Sequence, residues 1–413
     1  MATILKDQKL IDEFLNRGVE KIYPSKEKLR KKLLSGKKLK IYQGFDPTGK
    51  YLHVGHAIGI RALSILQKLG HEVIFLVGDF TSKIGDPDKD TTREMLNDQQ
   101  IYSNMRGWQK QAAQLIEFEG KNPVKFLYNS SWLSKLQFED ILKLMSKITL
   151  QRMIERDMFE RRLKQGDPIR LHEMIYPLMQ GYDGVAMEVD MELGGSDQTF
   201  NMLVGRDISR AYLNKEKFVR THQMMDAPDQ RTMSKTKGNG INLSDSAEEI
   251  FGKAMSYPDS LIIKGFELLT KVEMKDIKRY EKLIKQGQNP MKFKKIMAFE
   301  IVKLIKGEKK AKKAKEHFVK VFSKRETPDE IKTYKLSSLL KESQQQLNLL
   351  DLLNSLKIRD SKGKCKQLIA QGGVSIDGKK QTDLNLSITE ILDKKPQIII
   401  KAGKKDFLKI IKA

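Results

Sequence analysis

The stretch KLKIYQGFDPTGKYLHVGHAIGIRALSILQKLGHEVIFLVGDF, residues 38–80, decides the fold of the first part of the chain. KLKIYQGF has the composition of a strand, and DPTGK after it is typical of a turn. The apolar residues that follow recur mostly at steps of three and four, which indicates a helix: Ala57, Ile58, Leu63, Leu66 and Leu69. HEVIFLVGDF then suits a buried parallel strand. Strand, turn, helix and strand form a βαβ unit, which predicts an α/β fold.

The pattern changes on both sides of this unit. Residues 88–170 are charged and mostly helical, which predicts an insertion between two halves of a parallel sheet. VAMEVDMEL, residues 185–193, alternates apolar and acidic side chains and predicts a strand. GGSDQ then predicts a turn, a helix follows to about Leu213, and FVRTHQMM predicts a further strand. We interpret residues 1–40 as two short helices and residues 245–330 as helical.

Composition limits the classes of protein to which the chain can belong. Its 77 Lys and Arg against 53 Asp and Glu give a formal net charge of +24, which attracts polyanions such as nucleic acid. The alternative is that a lysine-rich surface only keeps the protein soluble. The one cysteine, Cys365, rules out an intramolecular disulfide and a thiolate zinc site, and favours a reducing, cytoplasmic location. We expect neither a signal peptide nor a membrane span, because no apolar run is long enough.

Two short motifs are typical of phosphate binding. HVGH lies where a strand gives way to a helix, so His53 and His56 share one face of a first helical turn, and helix N-termini attract phosphate. Gly55 between them lets a flat base lie against the backbone. MSKTKGN, residues 233–239, is a loop whose lysines can clamp a polyphosphate and neutralise developing charge. Taken alone, each motif has an ordinary alternative: two surface histidines, or a solvated basic loop.

Together, and in this order on an α/β chain, HVGH and MSKTKGN resemble the signature pair of class I aminoacyl-tRNA synthetases. The usual second motif reads Lys-Met-Ser-Lys-Ser. Here Met233, Ser234 and Lys235 match it, while Thr232 and Thr236 replace the first lysine and the last serine. Four stretches are similar to the tyrosyl members of this class in particular: GFDPTGKYLHVGH at 44–56, IGDP at 84–87, YPLMQGYD at 176–183 and GGSDQ at 194–198. The resemblance extends from about Glu13 to the C-terminus.

The spacing of one of these motifs is informative by itself. Tyr176, Gln180 and Asp183 are four and three residues apart, so on a helix they form one polar stripe. A polar stripe on a buried helix needs a ligand or polar partners, because unpaired buried polar groups are costly. The stripe therefore indicates a substrate pocket or an internal hydrogen-bond network.

The resemblance implies an activity, tyrosine–tRNA ligation, and a role for each matching residue. Tyrosine would be held by Tyr42 and Asp183 at its hydroxyl, by Tyr176, Gln180 and Asp86 at its ammonium, and by Thr81 and Gln198 nearby. ATP would be contacted by Asp46, Thr48, His53, Gly55, His56, Gly195, Asp197, Met233, Ser234 and Lys235. The implied catalytic residues are His53, His56, Lys235 and Thr236. ATP enters as a substrate with Mg²⁺, and neither a prosthetic group nor a dedicated metal site is expected. Glu192 and Thr199 stand where many relatives carry Gln and Trp.

The last part of the chain is strongly basic. Residues 331–413 hold 17 Lys and Arg against 8 Asp and Glu, a net charge of +9. LLNSLKIRDSKGKCKQLIAQGGVSIDGKKQTD resembles an S4 RNA-binding domain, in which phosphate contacts would come from Lys362, Lys364, Lys366 and Lys379. For any single lysine the alternative is a solvated basic face. We also expect two helices, a strand with a tight turn and a final hairpin, QIIIKAGKKDFLKI, in this part.

These observations predict four segments and three partners. The segments are a Rossmann-like catalytic domain at 1–243 with its insertion at about 88–170, a helical domain at 244–333, a linker at 334–345 and a small α+β S4-like domain at 346–413. The implied partners are tyrosine, tRNA(Tyr) and a second copy of the chain, because in the family the insertion pairs two subunits. FEDILKLMSKITL in that insertion is apolar, although it could equally be the domain's own core.

Two other functions stay open. One is a different class I synthetase, chiefly a tryptophanyl enzyme, against which the Tyr176, Gln180 and Asp183 stripe and the S4-like tail argue. The other is an RNA-binding protein without catalysis, against which HVGH and Lys235 argue.

Overall fold

The βαβ unit expected at residues 38–80 forms the middle of a six-stranded sheet. The structure, a computed structural model, describes residues 3–86, 95–229, 240–320, 331–340, 346–403 and 406–412. The strands of this sheet are β1 (Val19–Tyr23), β2 (Lys40–Phe45), β3 (Glu72–Val77), β4 (Lys125–Tyr128), β5 (Met191–Gly195) and β6 (Phe218–His222). Their order is β1-β6-β5-β2-β3-β4, and only the edge strand β1 runs antiparallel to its neighbour. The predicted α/β class is therefore confirmed.

Strand order places the candidate site. Strand β2 pairs with β3 on one side and β5 on the other, so the chain reverses its direction of travel across the sheet at this point. In open α/β sheets, ligands bind beyond the carboxyl ends of the strands at such a switch point. The residues immediately after the strands are Asp46 after β2 and Asn129 after β4, while β5 ends at Gly195.

Helices cover the sheet and continue beyond it. The helices that begin in the first part of the chain are α1 (Gln8–Asn16), α2 (Lys26–Leu34), α3 (Val54–Lys68), α4 (Thr81–Ile84), α5 (Asp98–Met105), α6 (Trp108–Ala112), α7 (Ser130–Leu133), α8 (Phe138–Met145), α9 (Leu150–Ile154), α10 (Asp157–Gln165), α11 (Tyr176–Ala186), α12 (Thr199–Leu213), α13 (Ala247–Met255), α14 (Ile262–Leu269), α15 (Met274–Lys285), α16 (Pro290–Lys306) and α17 (Glu308–Phe318). Within the described ranges, none is long and apolar enough to cross a bilayer.

One strand begins later in the structure than the sequence predicted. The alternation at 185–193 predicted a strand throughout, but α11 continues to Ala186 and β5 starts only at Met191. Between them Glu188 adopts a left-handed conformation, with φ of 51°, which ends the helix and turns the chain. The GGSDQ turn also differs, since its two glycines complete β5 and Ser196–Gln198 forms a 3₁₀ turn.

Two strands were not expected from the sequence. Strand β1 lies between the two helices predicted for residues 1–40, and β4 lies within the predicted helical insertion at 88–170. Both are edge strands whose side chains are mostly exposed or half-buried, so neither carries the apolar run of a central strand. Strand β4 shows that the described part of this insertion includes an edge of the sheet.

The chain divides into two compact units, Met1–Ala311 and Lys312–Ala413. In the second unit the elements are β7 (Lys332–Lys335), α18 (Leu336–Leu339), α19 (Leu349–Ser355), α20 (Lys362–Ala370), β8 (Val374–Ile376), β9 (Lys379–Gln381), α21 (Ile388–Lys394), β10 (Gln397–Ala402) and β11 (Asp406–Ile411). The two helices α19 and α20 and the final β10–β11 hairpin agree with the sequence analysis. The apolar core of this unit includes Leu352, Cys365 and Ile398.

The expected linker differs from the structure. Strand β7 pairs in parallel with β11 in a sheet of order β7-β11-β10-β8-β9, and α18 follows it directly. The part of the stretch 334–345 that the structure describes therefore belongs to the second unit's fold. A short, mostly exposed strand with the sequence Lys-Thr-Tyr-Lys carries little signal by itself, because its pairing with β11 is what orders it.

Candidate active site

The carboxyl ends of β2, β3 and β4 bring three polar side chains together. The Thr81 hydroxyl donates to Asp46 Oδ1 at 2.8 Å, and Asn129 Nδ2 donates to Thr81 Oγ1 at 3.1 Å. From α11, the Tyr176 hydroxyl donates to Asp46 Oδ2 at 3.0 Å. Gly78 leaves room for this cluster, since a Cβ there would lie 2.0 Å from Asp46 Oδ1. One network therefore joins predicted tyrosine-binding and ATP-binding residues.

Asp183 is the buried carboxylate of the site, with 3% of its surface exposed. It accepts hydrogen bonds from Trp132 Nε1 at 2.8 Å and from Asn129 Nδ2 at 3.2 Å. Burial raises the pKa of Asp183 well above its usual range, while these two hydrogen bonds act in the opposite direction. Asp183 thus has ordered donors around it and almost no surface exposed to water.

Tyr42 lies beside this carboxylate in a mainly apolar cluster. Its neighbours there include Ile74, Leu76 and the partly buried Trp132. The Tyr42 hydroxyl donates to the backbone oxygen of Gln180 at 3.4 Å. Burial raises the pKa of Tyr42 well above its usual value, so the hydroxyl stays protonated and can donate to a ligand.

A second carboxylate, Asp86, closes the other side of the site. It follows Gly85, whose φ of 78° turns the chain after α4 in a way that other residues rarely adopt. Asp86 accepts from Gln198 Nε2 at 2.5 Å and from Arg156 Nη2 at 2.7 Å. Arg156 is itself buried, and its Nη1 has no hydrogen-bond partner among the residues the structure describes.

Gln180 links the two sides of the site. Its Nε2 donates to Glu192 Oε1 at 2.9 Å, and its Oε1 accepts from Asn201 Nδ2 at 3.0 Å. Asn201 Nδ2 also lies 3.2 Å from Gln198 Oε1 and 3.5 Å from Asp86 Oδ1. The polar stripe on α11 therefore has internal partners in this structure, and those partners connect it to the carboxylates of Glu192 and Asp86.

The two histidines of HVGH lie where α3 begins. The His53 backbone N–H donates to His56 Nδ1 at 3.0 Å, and the two ring centroids are 3.8 Å apart. Gly55 between them is half-buried. The backbone N–H of Val54 donates to Ile241 O at 2.9 Å, so the chain that follows residues 230–239 runs beside this motif.

The structure describes only some of the other residues predicted to contact ATP. The Thr48 backbone N–H donates to Asp46 O at 2.8 Å. Gly195 ends β5, and a Cβ there would lie 2.3 Å from Asp197 Oδ1, so this turn excludes a side chain. Thr232, Met233, Ser234, Lys235 and Thr236 lie outside the described residues, as does Pro87 of IGDP. Within the described ranges, no group of three metal-ligating side chains is close enough to hold a metal ion.

The four lysines predicted to bind RNA are exposed on the second unit. Lys362 Nζ lies 2.7 Å from Asp351 Oδ1, and Lys364 Nζ lies 2.7 Å from Asp360 Oδ2. These exposed pairs contribute little stability and exchange readily for phosphate contacts.

Sequence reasoning missed several residues of the site. Asn129, Trp132, Arg156, Asn201 and Lys217 all contact predicted residues or their partners. A signal existed for Asn129, which directly follows β4 at the carboxyl edge of the sheet. Recognising β4 as a strand would have placed it there.

Comparisons with known proteins show the family of the chain. The family model for tRNA synthetases class I (W and Y) matches residues 34–323, and the tyrosine–tRNA ligase SYY-like C-terminal domain matches residues 331–410. A tyrosine–tRNA ligase of Thermotoga maritima is 40% identical over 94% of this chain and 94% of its own length. One of Aquifex aeolicus is 38% identical over 93% of this chain and 94% of its own length.

Solved structures agree in fold. A C-terminally truncated mitochondrial tyrosyl-tRNA synthetase of Aspergillus nidulans superposes with a TM-score of 0.64 at 23% identity, covering 76% of this chain and 94% of that one. A tyrosyl-tRNA synthetase of Aeropyrum pernix gives a TM-score of 0.58 at 20% identity, covering 75% of this chain and 98% of that one. With these folds and the near full-length sequence matches, the chain belongs to the class I tRNA synthetases, in the tyrosine–tRNA ligase family.

Proposed function

We propose that this chain activates tyrosine with ATP, giving tyrosyl-adenylate and pyrophosphate, and then transfers the tyrosyl group to the 3′ end of tRNA(Tyr). The observation that carries the proposal is the cluster of buried polar side chains at the carboxyl edge of the sheet, which includes Asp183 and Tyr42 as well as Asp86 and Gln180. An amino acid with a distal hydroxyl presents a donor at one end and an ammonium at the other, which matches these two sets of acceptors.

The hydroxyl end gives the pocket its selectivity. A phenolic hydroxyl placed between Tyr42 and Asp183 accepts from the former and donates to the latter. Phenylalanine excludes water from both groups and gives neither of them the hydrogen bond that the hydroxyl supplies, which disfavours it strongly. At the other end, the carboxylate of Asp86 and the amide oxygen of Gln180 are suitable acceptors for the α-ammonium, with Tyr176 and Thr81 supporting them through Asp46.

The chemistry needs positioning and charge stabilisation more than proton transfer. A carboxylate oxygen of tyrosine attacks the α-phosphate of ATP, and pyrophosphate leaves with the electron pair of the broken bond. His53, His56 and Lys235 stabilise the charge that develops on the phosphates, as preorganised donors do in other phosphate-transfer sites. Mg²⁺ enters with ATP as part of the substrate. In the second step, a hydroxyl of the terminal ribose attacks the tyrosyl carbonyl and adenylate leaves.

The second unit supplies a surface for tRNA. Its basic residues, among them Lys362, Lys364, Lys366 and Lys379, face solvent and would replace counterions on the tRNA backbone. The reducing cytoplasm, where tRNA is charged, suits a chain whose one cysteine is buried and unpaired.

We also propose that the protein works as a homodimer. Helix α8 presents Phe138, Leu142 and Met145 on one face, with 77%, 50% and 45% of their surfaces exposed, and Leu150 of α9 is 57% exposed. Residues i, i+4 and i+7 of a helix share a face, so these side chains form one apolar strip. A second copy of the chain would bury the same strip on both partners.

ATP–pyrophosphate exchange measured with each of the twenty amino acids tests the function. Exchange with tyrosine alone supports it, whereas exchange with tryptophan would identify a different class I enzyme. RNA binding without exchange for any amino acid would instead leave an RNA-binding protein.

A further inference from the structure

A buried ion pair lies beneath the proposed tyrosine pocket. Lys217 Nζ donates to Glu192 Oε2, and the two side chains are 0% and 2% exposed. Glu192 is in β5, in register with Tyr42 of the parallel strand β2, so their side chains lie next to each other on one face of the sheet. The pair is therefore part of the floor on which the pocket is built.

The surrounding helices are shaped to admit the lysine. Its ammonium lies where α11 and α12 pack closely against each other, at a point where both helices carry glycine. A Cβ at Gly205 would lie 2.5 Å from Lys217 Nζ, and one at Gly184 would lie 3.3 Å from it. Larger residues at these positions would fill the space that the ammonium occupies.

Stability alone gives a poor reason for such a pair. Taking two charges out of water is costly, and apolar side chains of similar volume often serve a core equally well or better. A polar group beneath a binding pocket can instead be kept because it fixes the orientation of another group. The contact from Glu192 to Gln180 has this property.

Glu192 determines which way the Gln180 amide faces. The Gln180 Nε2 atom donates to Glu192 Oε1 at 2.9 Å, and an ionised carboxylate can only accept. The amide nitrogen must therefore face Glu192, and the amide oxygen must face the other side. A neutral glutamine at position 192 could pair with either orientation of Gln180, because it offers both a donor and an acceptor.

The amide oxygen fixed in this way faces the acidic side of the site. Asn201 Nδ2 lies 3.0 Å from Gln180 Oε1 and 3.5 Å from Asp86 Oδ1, so both acceptors lie around one nitrogen atom. An ammonium group entering beside Asn201 would find a neutral and a charged acceptor within reach. The reversed amide would offer it an N–H donor instead, which repels a cation.

We propose that the Lys217–Glu192 ion pair is a positioning device that holds the Gln180 amide oxygen towards the α-ammonium of the amino-acid substrate. The inference rests on the proposed function, since it assumes that tyrosine binds in this pocket. In this role the pair acts on the substrate through Gln180. Because Glu192 also lies beside Tyr42 and Lys217 Nζ lies 5.9 Å from the centroid of the Tyr42 ring, the positioning role predicts a larger effect on ligands that carry the amino group than on ligands that lack it.

The test uses the double variant Glu192→Gln/Lys217→Met. It removes both charges together, so that neither charge is left buried without its partner. We expect the KM for tyrosine in pyrophosphate exchange to rise roughly tenfold, the effect of one lost hydrogen bond to a charged group. The KM for ATP and kcat should change little. The inhibition constant of desaminotyrosine, which lacks the amino group, should rise much less than the KM for tyrosine.

A matched control is Asp190→Asn/Lys215→Met, which removes a partly exposed ion pair of 2.9 Å from the same two segments of chain. It should leave all these constants unchanged. Equal weakening of tyrosine and desaminotyrosine in the double variant would mean a general loss of pocket structure and would overturn the positioning role, as would an unchanged KM for tyrosine. Exchange by the wild-type chain tests the proposed function itself, so the two ideas can fail separately.

Discussion

Asp183 combines two properties that rarely occur together at the scale of one residue. It is almost fully buried, which raises its pKa, and yet Trp132 Nε1 and Asn129 Nδ2 supply it with donors. Such a carboxylate costs stability in the empty site and gains a partner when a hydroxyl binds. The same group should therefore limit stability and supply recognition.

Asp183→Asn is the sharpest test of this role. The amide has nearly the same shape but offers one acceptor oxygen in place of two, so kcat/KM for tyrosine should fall roughly tenfold to hundredfold. The thermal midpoint should change little, because the variant also removes a buried charge. Pyrophosphate exchange at low tyrosine and a thermal melt on the same preparation give both values. Wild-type exchange rates at low tyrosine would show that the hydroxyl binds elsewhere.

His71 predicts a dependence of stability on pH. It is buried, its Nδ1 accepts from the Leu39 backbone N–H at 3.3 Å, and burial lowers its pKa to about 4. The unfolded chain takes up this proton below its usual pKa of about 6.5. The stabilisation is therefore fully present above about pH 6.5 and is lost as the pH falls towards 4.

The variant His71→Asn isolates this effect. Asparagine keeps an acceptor near Leu39 and does not titrate, so across this window the wild type should lose about 3 kcal/mol more unfolding free energy than the variant. Denaturant unfolding at several pH values measures both curves. Parallel curves would mean that folding does not lower the pKa of His71.

Single residues also show what a sequence cannot reveal. The stripe of Tyr176, Gln180 and Asp183 is visible because its spacing is local to one helix. The role of Arg156 is not visible in the sequence, because Arg156 lies 70 positions from Asp86. Only the packing of α10 against the site brings the two side chains together. The identity of a long-range partner depends on the whole fold.

At the scale of elements, the proposed phosphate chemistry belongs to the N-terminus of α3. His56 has a structural task as well, because its Nδ1 accepts the His53 backbone N–H at 3.0 Å. Replacing it by alanine would disturb the helix start and confuse the two roles. Asparagine can keep the acceptor while removing the imidazole.

We expect His53→Asn and His56→Asn to lower kcat for pyrophosphate exchange more than they raise the KM for ATP. Contacts that form only in the transition state show this pattern. Initial rates over a range of ATP concentrations at saturating tyrosine separate the two constants. A rise in KM at constant kcat would assign the histidines to ground-state ATP binding.

Elements were predictable where their apolar pattern was strong. Strands β2 and β3 lie where long apolar runs placed them, and α12 ends at Leu213 as expected. Strands β1 and β4 were not predicted, because an edge strand needs only one buried face and so lacks a long apolar run. The strand predicted for residues 185–193 was wrong over its first part. The alternation there is a coincidence, because this stretch combines the end of a helix, a left-handed Glu188 and the start of a strand.

The apolar strip on α8 makes a prediction about assembly. Leu142→Glu places a charge in the proposed dimer interface, and since Leu142 is half exposed the monomer should tolerate it. Light scattering at micromolar protein should give the mass of a dimer for the wild type and of a monomer for the variant. Lys143→Glu, on the opposite face of the same helix, is the control and should remain dimeric. A wild-type mass of one chain would end the proposal.

At the scale of the whole molecule, the division into two units suggests which half-reaction each one needs. Every described residue of the candidate site lies in Met1–Ala311, whereas the S4-like surface lies in Lys312–Ala413. The place to separate them follows from the second sheet. A cut at residue 341 would leave β7 and α18 behind without β11, exposing an unpaired strand.

Removing residues 321–413 avoids this problem, because it keeps α17 whole and takes away the entire second sheet. We expect the shortened chain to keep tyrosine-dependent pyrophosphate exchange and to lose tRNA charging. Adenylate formation uses only small substrates, while charging needs the tRNA docked, and residues 331–413 carry a net charge of +9. Losing about three phosphate contacts should flatten the log–log salt dependence of tRNA binding by roughly two to three units. Loss of both reactions together would mean that the second unit stabilises the first, and charging with an unchanged KM for tRNA would mean that it does not bind tRNA.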